Sequence, residues 1–248
     1  MFDTYEQIFA ERATSYQAAM ARWPDARQAE FTALIEPLGH IAGSLVCDMP
    51  AGGGYLRRHL PAETRYLAIE PTAHFHAACP RDDRSDALLA PIEAVPLADG
   101  AVDHVVSLAG LHHVADLATV FREMRRLLAP GGRVSVCDVA KKTSSATFLN
   151  GFVDRHNPMG HDGHFLDETT ATFLSDAGFA LVADAVITTP WRFPDREQAG
   201  AFCARLFGIE GLSDEAVAAT LADEIGFEEM PDGVALRWVL RRIAAVAV

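Results

Sequence analysis

Two hydrophobic rhythms alternate along the chain. Short unbroken apolar runs, Leu45-Val-Cys and Tyr66-Leu-Ala-Ile among them, suit strands buried on both faces. Between such runs, apolar residues recur at intervals of three and four. The clearest stripe is Leu117, Val120, Phe121, Met124, Leu127 and Leu128, with Asp116 as the N-cap of its helix. The pattern predicts strands over 44–48, 65–70, 102–108 and 133–139, a strand or loop over 85–94, and a helix from about Tyr55. Pro130-Gly-Gly stops the helix that begins near Leu117. Ahead of these elements, residues 2–40 read as helices broken at Trp23-Pro-Asp. Tyr5, Ile8 and Phe9, then Phe31, Leu34, Ile35 and Leu38, keep helical spacing, and Pro37 kinks or ends the second helix. Beyond Val139 the pattern predicts a helix over 146–154, a polar loop over 155–164, a helix from Asp167 to near Gly178 and a strand over 180–188. A capping box at Asp195 and Gln198 opens a helix to about Phe207, Ser213 caps another to about Ile225, and 234–246 reads as a last strand. Strands alternating with helices imply an α/β fold, a doubly wound sheet covered on both faces.

The first strand runs into Asp48-Met-Pro-Ala-Gly-Gly-Gly54. Glycines there let the backbone adopt positive φ and let a ligand lie against bare main chain, and a following helix would add its free amides. A dinucleotide fingerprint needs glycine at its first, third and sixth positions, and counting from Gly52 puts Arg57 at the sixth. A P-loop would end in Gly-Lys-Ser/Thr, whereas this turn ends in Tyr55 and Leu56. A second acid, Glu70, closes the second strand, where an acid can bind a ribose diol. The combination suggests a nucleoside without a pyrophosphate.

These residues resemble the class I S-adenosylmethionine-dependent methyltransferases. The resemblance runs from about Leu45 to Val139 in five blocks: Asp48 with Gly52 and Gly54; Glu70; Glu93-Ala-Val-Pro-Leu with Asp99-Gly-Ala-Val-Asp103; Leu111-His-His-Val114; and Leu127-Leu-Ala-Pro-Gly-Gly132. It implies a Rossmann-like seven-stranded mixed sheet whose last strand is antiparallel, with N-terminal helices over the cofactor and a helical insertion before the last strand. It further implies S-adenosylmethionine as cofactor, bound by Asp48, Pro50, Ala51, Gly52, Gly54, Glu70, Pro71, Ile92, Glu93, Ser107, Leu108, Ala109 and His113, with Tyr5 and Tyr16 as candidates to touch it from the N-terminal helices. Pro91 stands where the family usually has an aspartate on the adenine amino group, leaving Glu93 or the backbone near Ile92 to substitute. Asp103 is expected to be structural.

A chain of 248 residues supports one substantial core. One domain is expected: a helical cover over 1–40, a cofactor core over 41–140 and a substrate side over 141–248. The formal net charge of -13 argues against non-specific nucleic-acid binding, and no apolar run reaches membrane-span length. The opening Met-Phe-Asp-Thr-Tyr-Glu lacks a basic region ahead of an apolar one, so a cytoplasmic protein, monomer or homodimer, is expected. Cys47, Cys79, Cys137 and Cys203 form no paired ligand motif and are expected as reduced thiols.

A sulfonium methyl donor is already activated, so the protein must mainly align the acceptor and exclude water; a hydroxyl or amine acceptor also benefits from an imidazole base. His112 and His113 follow the fourth strand, and either face a ligand or simply pack there. His156, His161 and His164, with Asp162, lie in a loop that either supplies a base or substrate contact or acts as a plain lid; no metal is expected. His156, His161, His164 and His113 are therefore the catalytic candidates. Methyl transfer to oxygen, nitrogen or carbon of a small molecule is the expected activity. Cyclisation or elimination using the bound cofactor, and non-catalytic cofactor binding, are the alternatives.

Overall fold

The computed structural model describes the backbone of residues 5–248 and the side chains of residues 12–248. Helices α1 (Tyr5–Arg22) and α2 (Gln28–Ile35) precede β1 (Leu45–Asp48), β2 (Arg65–Glu70), α3 (Ala73–Ala78), β3 (Ser85–Leu89), β4 (Val102–Leu108), α4 (Leu117–Leu127) and β5 (Leu128–Val139). Next, α5 (Ser144–Phe148) continues through a π-type turn at Leu149–Val153 into α6 (Asp154–His156), followed by α7 (Thr170–Asp176) and β6 (Phe179–Thr188). The chain closes with β7 (Trp191–Phe193), α8 (Arg196–Phe207), α9 (Asp214–Glu224), β8 (Phe227–Met230), β9 (Gly233–Leu236) and β10 (Val239–Ala247).

The main sheet has seven strands in the order β3-β2-β1-β4-β5-β10-β6. Five run parallel from β3 to β5, and β10 is antiparallel to both β5 and β6. This is the mixed sheet expected from the sequence. Its strand order reverses between β1 and β4, so their carboxyl ends open a crevice, the place where open α/β sheets bind ligands. Buried apolar residues fill both faces. Val46, Ala68, Val106 and Cys137 pack toward α2 and α8, while Cys47, Ile69, Val105 and Val136 pack toward α4 and its stripe of Val120, Phe121 and Met124. Asp103 is structural, its Oδ2 accepting the Leu45 N–H at 2.7 Å and so tying β4 to the start of β1.

Several boundaries differ from the pattern. The helix expected from Tyr55 is one 3-10 turn, Tyr55–His59, because Pro61 forces Leu60 into extended backbone. The helix expected from Asp167 begins at Thr170, since the Asp167 carboxylate instead closes a turn on the N–H and hydroxyl of Thr169. Strand β5 begins at Leu128, with an irregularity against β4 before Arg133. The stretch 234–246 is two strands. Up to Leu236 it pairs with β7 and β8 in a separate three-stranded sheet, and from Val239 it joins the main sheet. Buried Trp238 sits at the changeover, stacked on Trp191 at 4.4 Å. Among the described residues no helix is long and apolar enough to cross a membrane.

Candidate active site

At the carboxyl end of β1 the chain turns through a cis Met49–Pro50 peptide to Gly52 and Gly54, both in the left-handed region at φ +56° and +71°. Glu70 is fully buried at the end of β2 and accepts from the Gly52 N–H at 2.8 Å, the Thr72 N–H at 2.9 Å and the Thr72 hydroxyl at 2.7 Å. The acid of the second strand therefore shapes the turn of the first. Asp48 is also buried; it accepts from the Tyr66 hydroxyl at 2.8 Å. Burial pushes its carboxyl up to about 7, against the Tyr66 hydrogen bond, with the nearby Glu70 charge adding to the rise.

Asp48, Pro50, Ala51, Gly52, Leu108 and Ala109, all named from the sequence, line one cavity of about 530 Å³ together with Tyr16, Tyr55 and Phe75. The wall offers aromatic rings, bare backbone, the Asp48 carboxyl group and the Arg27 guanidinium, which suits the adenosine and the zwitterionic methionine portions of S-adenosylmethionine. Other sequence-named residues stand further off. Gly54 packs on Pro80 and Cys79, Pro71 is half-buried, Ile92 and Ser107 are buried in the core, and Glu93 is exposed. Tyr5 lies outside the residues whose side chains are described.

A second cavity, about 470 Å³, adjoins the first, and Tyr16, Arg27 and Ala109 line both. Ala109 has φ +50°, a strained conformation for a residue with a β-carbon, at the point where β4 leaves the sheet. Its N–H is held by the Cys137 carbonyl at 2.8 Å. The turn that follows delivers His112 and His113 to the second cavity, where they meet His161. Ring centroids are 4.1 Å apart for His112 and His113, 5.6 Å for His112 and His161, and 5.3 Å for His113 and His161.

Hydrogen bonds orient two of the rings. His112 Nδ1 bonds Asp138 Oδ1 at 2.6 Å, and Asp138, buried at the end of β5, also accepts the N–H groups of Leu111, His112 and Val139. His161 Nδ1 bonds Asn150 Oδ1 at 2.8 Å, and the His161 N–H reaches Asp154 Oδ1 at 2.9 Å. Burial, aided by the neighbouring basic groups, lowers the His161 pKa to about 3 and that of His113 well below its ordinary value, so both are neutral imidazoles near pH 7.

The opposite wall is aromatic. Trp191, Trp238 and Phe207 stack on one another, and Val139, Leu149 and Leu206 complete it. A buried ion pair holds this wall: Arg27 Nε donates to Glu30 Oε2 at 2.5 Å, and the Trp191 indole donates to Glu30 Oε1 at 2.8 Å. Arg27 Nη1 donates to the Tyr16 hydroxyl, and its guanidinium lies 5.4 Å from the Trp191 ring centre.

Of the four histidines named as catalytic candidates, the structure brings His113 and His161 together. His156 instead packs on Phe152 at 4.7 Å, and His164 is exposed with its N–H on the His112 carbonyl. Asp162 is exposed and does not orient His161; Asn150 does. The His112–Asp138 pair escaped the sequence reading. Its signal was the one used for Asp48 and Glu70, an acid at the carboxyl end of a buried strand.

Fold and site define a Rossmann-like protein whose crevice joins a cavity at the glycine turn to an imidazole-lined one. Residues 47–136 match the methyltransferase-domain family. Among curated relatives, the chain is 39% identical over 62 residues to the ubiquinone/menaquinone biosynthesis C-methyltransferase UbiE of Hahella chejuensis, a quarter of each chain. It is 27% identical over 222 residues to an uncharacterised 37.1 kDa protein in a transposon of Streptomyces fradiae, covering 84% of this chain and 59% of that one. The matched stretches thus span less than two thirds of these relatives' lengths. Among solved structures, the [4+2]-cyclase SpnF shares the fold at TM-score 0.66 and 16% identity, over 98% of this chain and 96% of that one. The match over residues 47–136 and the shared fold support the resemblance to class I S-adenosylmethionine-dependent methyltransferases and, with it, S-adenosylmethionine as the cofactor the site suits.

Proposed function

We propose that this protein transfers the methyl group of S-adenosylmethionine to an oxygen or nitrogen of a compact small molecule. The observation that carries this reading is the pair of adjoining cavities meeting at Ala109, one at the glycine turn and the other ending in imidazoles. The cofactor supplies an electrophilic methyl group. The chain's own residues do the rest: Asp48 and the Gly52 backbone hold the cofactor's cationic and nucleoside portions, and Glu70 keeps the turn in shape. Trp191, Trp238 and Phe207 hold an apolar acceptor body and exclude water, while His112 and His161 face its reacting atom.

The fold alone does not require methyl transfer, since SpnF, named as a cyclase, shares it. Incubation with methyl-labelled S-adenosylmethionine and a panel of hydroxyl and amine acceptors tests the proposal. Labelled product together with demethylated cofactor supports it. Product formed without consumption of cofactor favours cyclisation or elimination, and cofactor binding with no product from any acceptor class leaves a binding protein.

A further inference from the structure

Three imidazoles gathered this closely need an explanation that a single acceptor contact does not supply. One ring nitrogen of each of His112, His113 and His161 lies within 4.8 Å of those of the other two. Bringing three largely buried rings together forfeits much of their hydration, a cost that a bound ligand would offset.

The arrangement behind the rings is that of a metal centre. Metal-bound histidines donate their second N–H to a carboxylate or other acceptor, which fixes tautomer and ring orientation. His112 does so to Asp138 and His161 to Asn150, each through Nδ1, so the nitrogen carrying the lone pair is Nε2 in both rings. These acceptors are themselves held. Asp138 takes three backbone N–H groups, and Asn150 bonds the backbone of Gly163 through both its oxygen and its nitrogen. The loop carrying His161 is thus fastened at residues 161 and 163, to Asp154 and Asn150, and is not a loose lid.

We infer that His112, His113 and His161 bind a divalent transition-metal ion of the zinc class. Three nitrogen donors with a fourth position open to a ligand match the donor set of a reactive zinc site rather than a closed structural one. No thiolate or carboxylate reduces the ion's charge directly, and Arg12 and Arg27 line the same cavity. The fourth position therefore favours an anionic oxygen, which makes the acceptor an acidic hydroxyl or carboxylate on an apolar body. The acceptor part of this inference rests on the proposed methyl transfer; the metal site does not.

Full-length untagged protein, stripped with chelator and dialysed, is titrated with Zn²⁺ against a chromophoric competitor and separately with Co²⁺, whose visible absorption reports nitrogen ligation. One equivalent of each ion is expected, with a Kd for Zn²⁺ below about 1 µM. His161→Gln is expected to weaken binding at least about 100-fold, and Asp138→Asn, which leaves all three ligands in place, about 10–100-fold. His40→Gln, at an exposed site, should bind as the parent does. Thermal melting checks that each variant is folded. Absence of a stoichiometric site in the parent protein overturns the inference, as does unchanged binding in folded His161→Gln. Because neither cofactor nor acceptor is present, failure here leaves methyl transfer standing, and absence of methyl transfer leaves the metal site standing.

Discussion

Replacing Asp48 by Asn isolates the cost of burying an acid at the glycine turn. Burial raises the Asp48 pKa from 3.8 to about 7. Between those values the folded protein keeps a proton that the unfolded chain has lost, so folding stability falls as pH rises. The contribution is fully present below about pH 4 and is gone above about pH 7. A rise of about three units at 1.36 kcal/mol each amounts to about 4 kcal/mol. Asp48→Asn keeps the Tyr66 hydrogen bond through its amide oxygen and has no charge to bury. Urea unfolding of both proteins from pH 4 to 8.5 cancels, in the difference, the titrating groups that do not sense the Asp48 charge. The variant should match the parent at the acid end and exceed it by about 4 kcal/mol at pH 8, a gain in Tm of roughly 8–16 °C for a chain of this size. S-adenosylmethionine is cationic and favours the carboxylate, so the parent should release a proton on binding near pH 6 and bind more tightly at pH 8, and Asp48→Asn should lose both effects. A stability difference that stays flat across the range, or grows toward low pH, refutes the reasoning.

Gly54→Ala should lose about 2–3 kcal/mol by thermal denaturation and weaken cofactor binding in calorimetry, because its φ is +71° and a β-carbon there would overlap the Pro80 ring. Gly39→Ala, at φ +75° but facing open space, should cost only about 1 kcal/mol. Arg27→Met should cost about 3–5 kcal/mol by leaving Glu30 charged and buried, and adding Glu30→Gln should recover part of the loss. His112→Asn should leave S-adenosylmethionine affinity within about twofold in calorimetry while lowering methyl transfer on the order of 10²-fold in the labelled-cofactor assay. Equal losses in binding and turnover would place His112 on the cofactor side instead.

The strands were legible because apolar runs such as Leu45-Val-Cys have few alternatives, and the antiparallel β10 followed from the family resemblance. The cofactor turn was legible for a similar reason, since its acid and glycines are adjacent in sequence. The imidazole cavity was not. Its parts come from residues 12–27, 109–113, 138–139, 149–161 and 191–238, and no spacing rule links Asp138 to His112 or Asn150 to His161. Local reading grouped His156, His161 and His164 because they are near in sequence, whereas the fold keeps only His161 of the three and pairs it with residues almost fifty positions away. Glu70 shows a subtler limit. Its position was found, but only coordinates reveal that its carboxylate is directed to Gly52 and Thr72.

Tyr16, Arg27 and Ala109 line both cavities, but most of the remaining wall of each comes from its own stretches of chain and can change independently. On the proposed reading, the cofactor side draws largely on residues 48–56 and 108–110, while most of the acceptor wall comes from Leu149, Trp191, Leu206, Phe207 and Trp238. Selection for a new acceptor can therefore repaint that wall while the cofactor turn stays as it is, and a laboratory library can do the same by randomising those five positions. The boundary of that freedom is Trp191, whose indole also holds Glu30 and, through it, the arginine shared by both chambers. Libraries that keep Trp191 and vary the other four should retain cofactor binding in most members, and those that vary it should lose folded protein first.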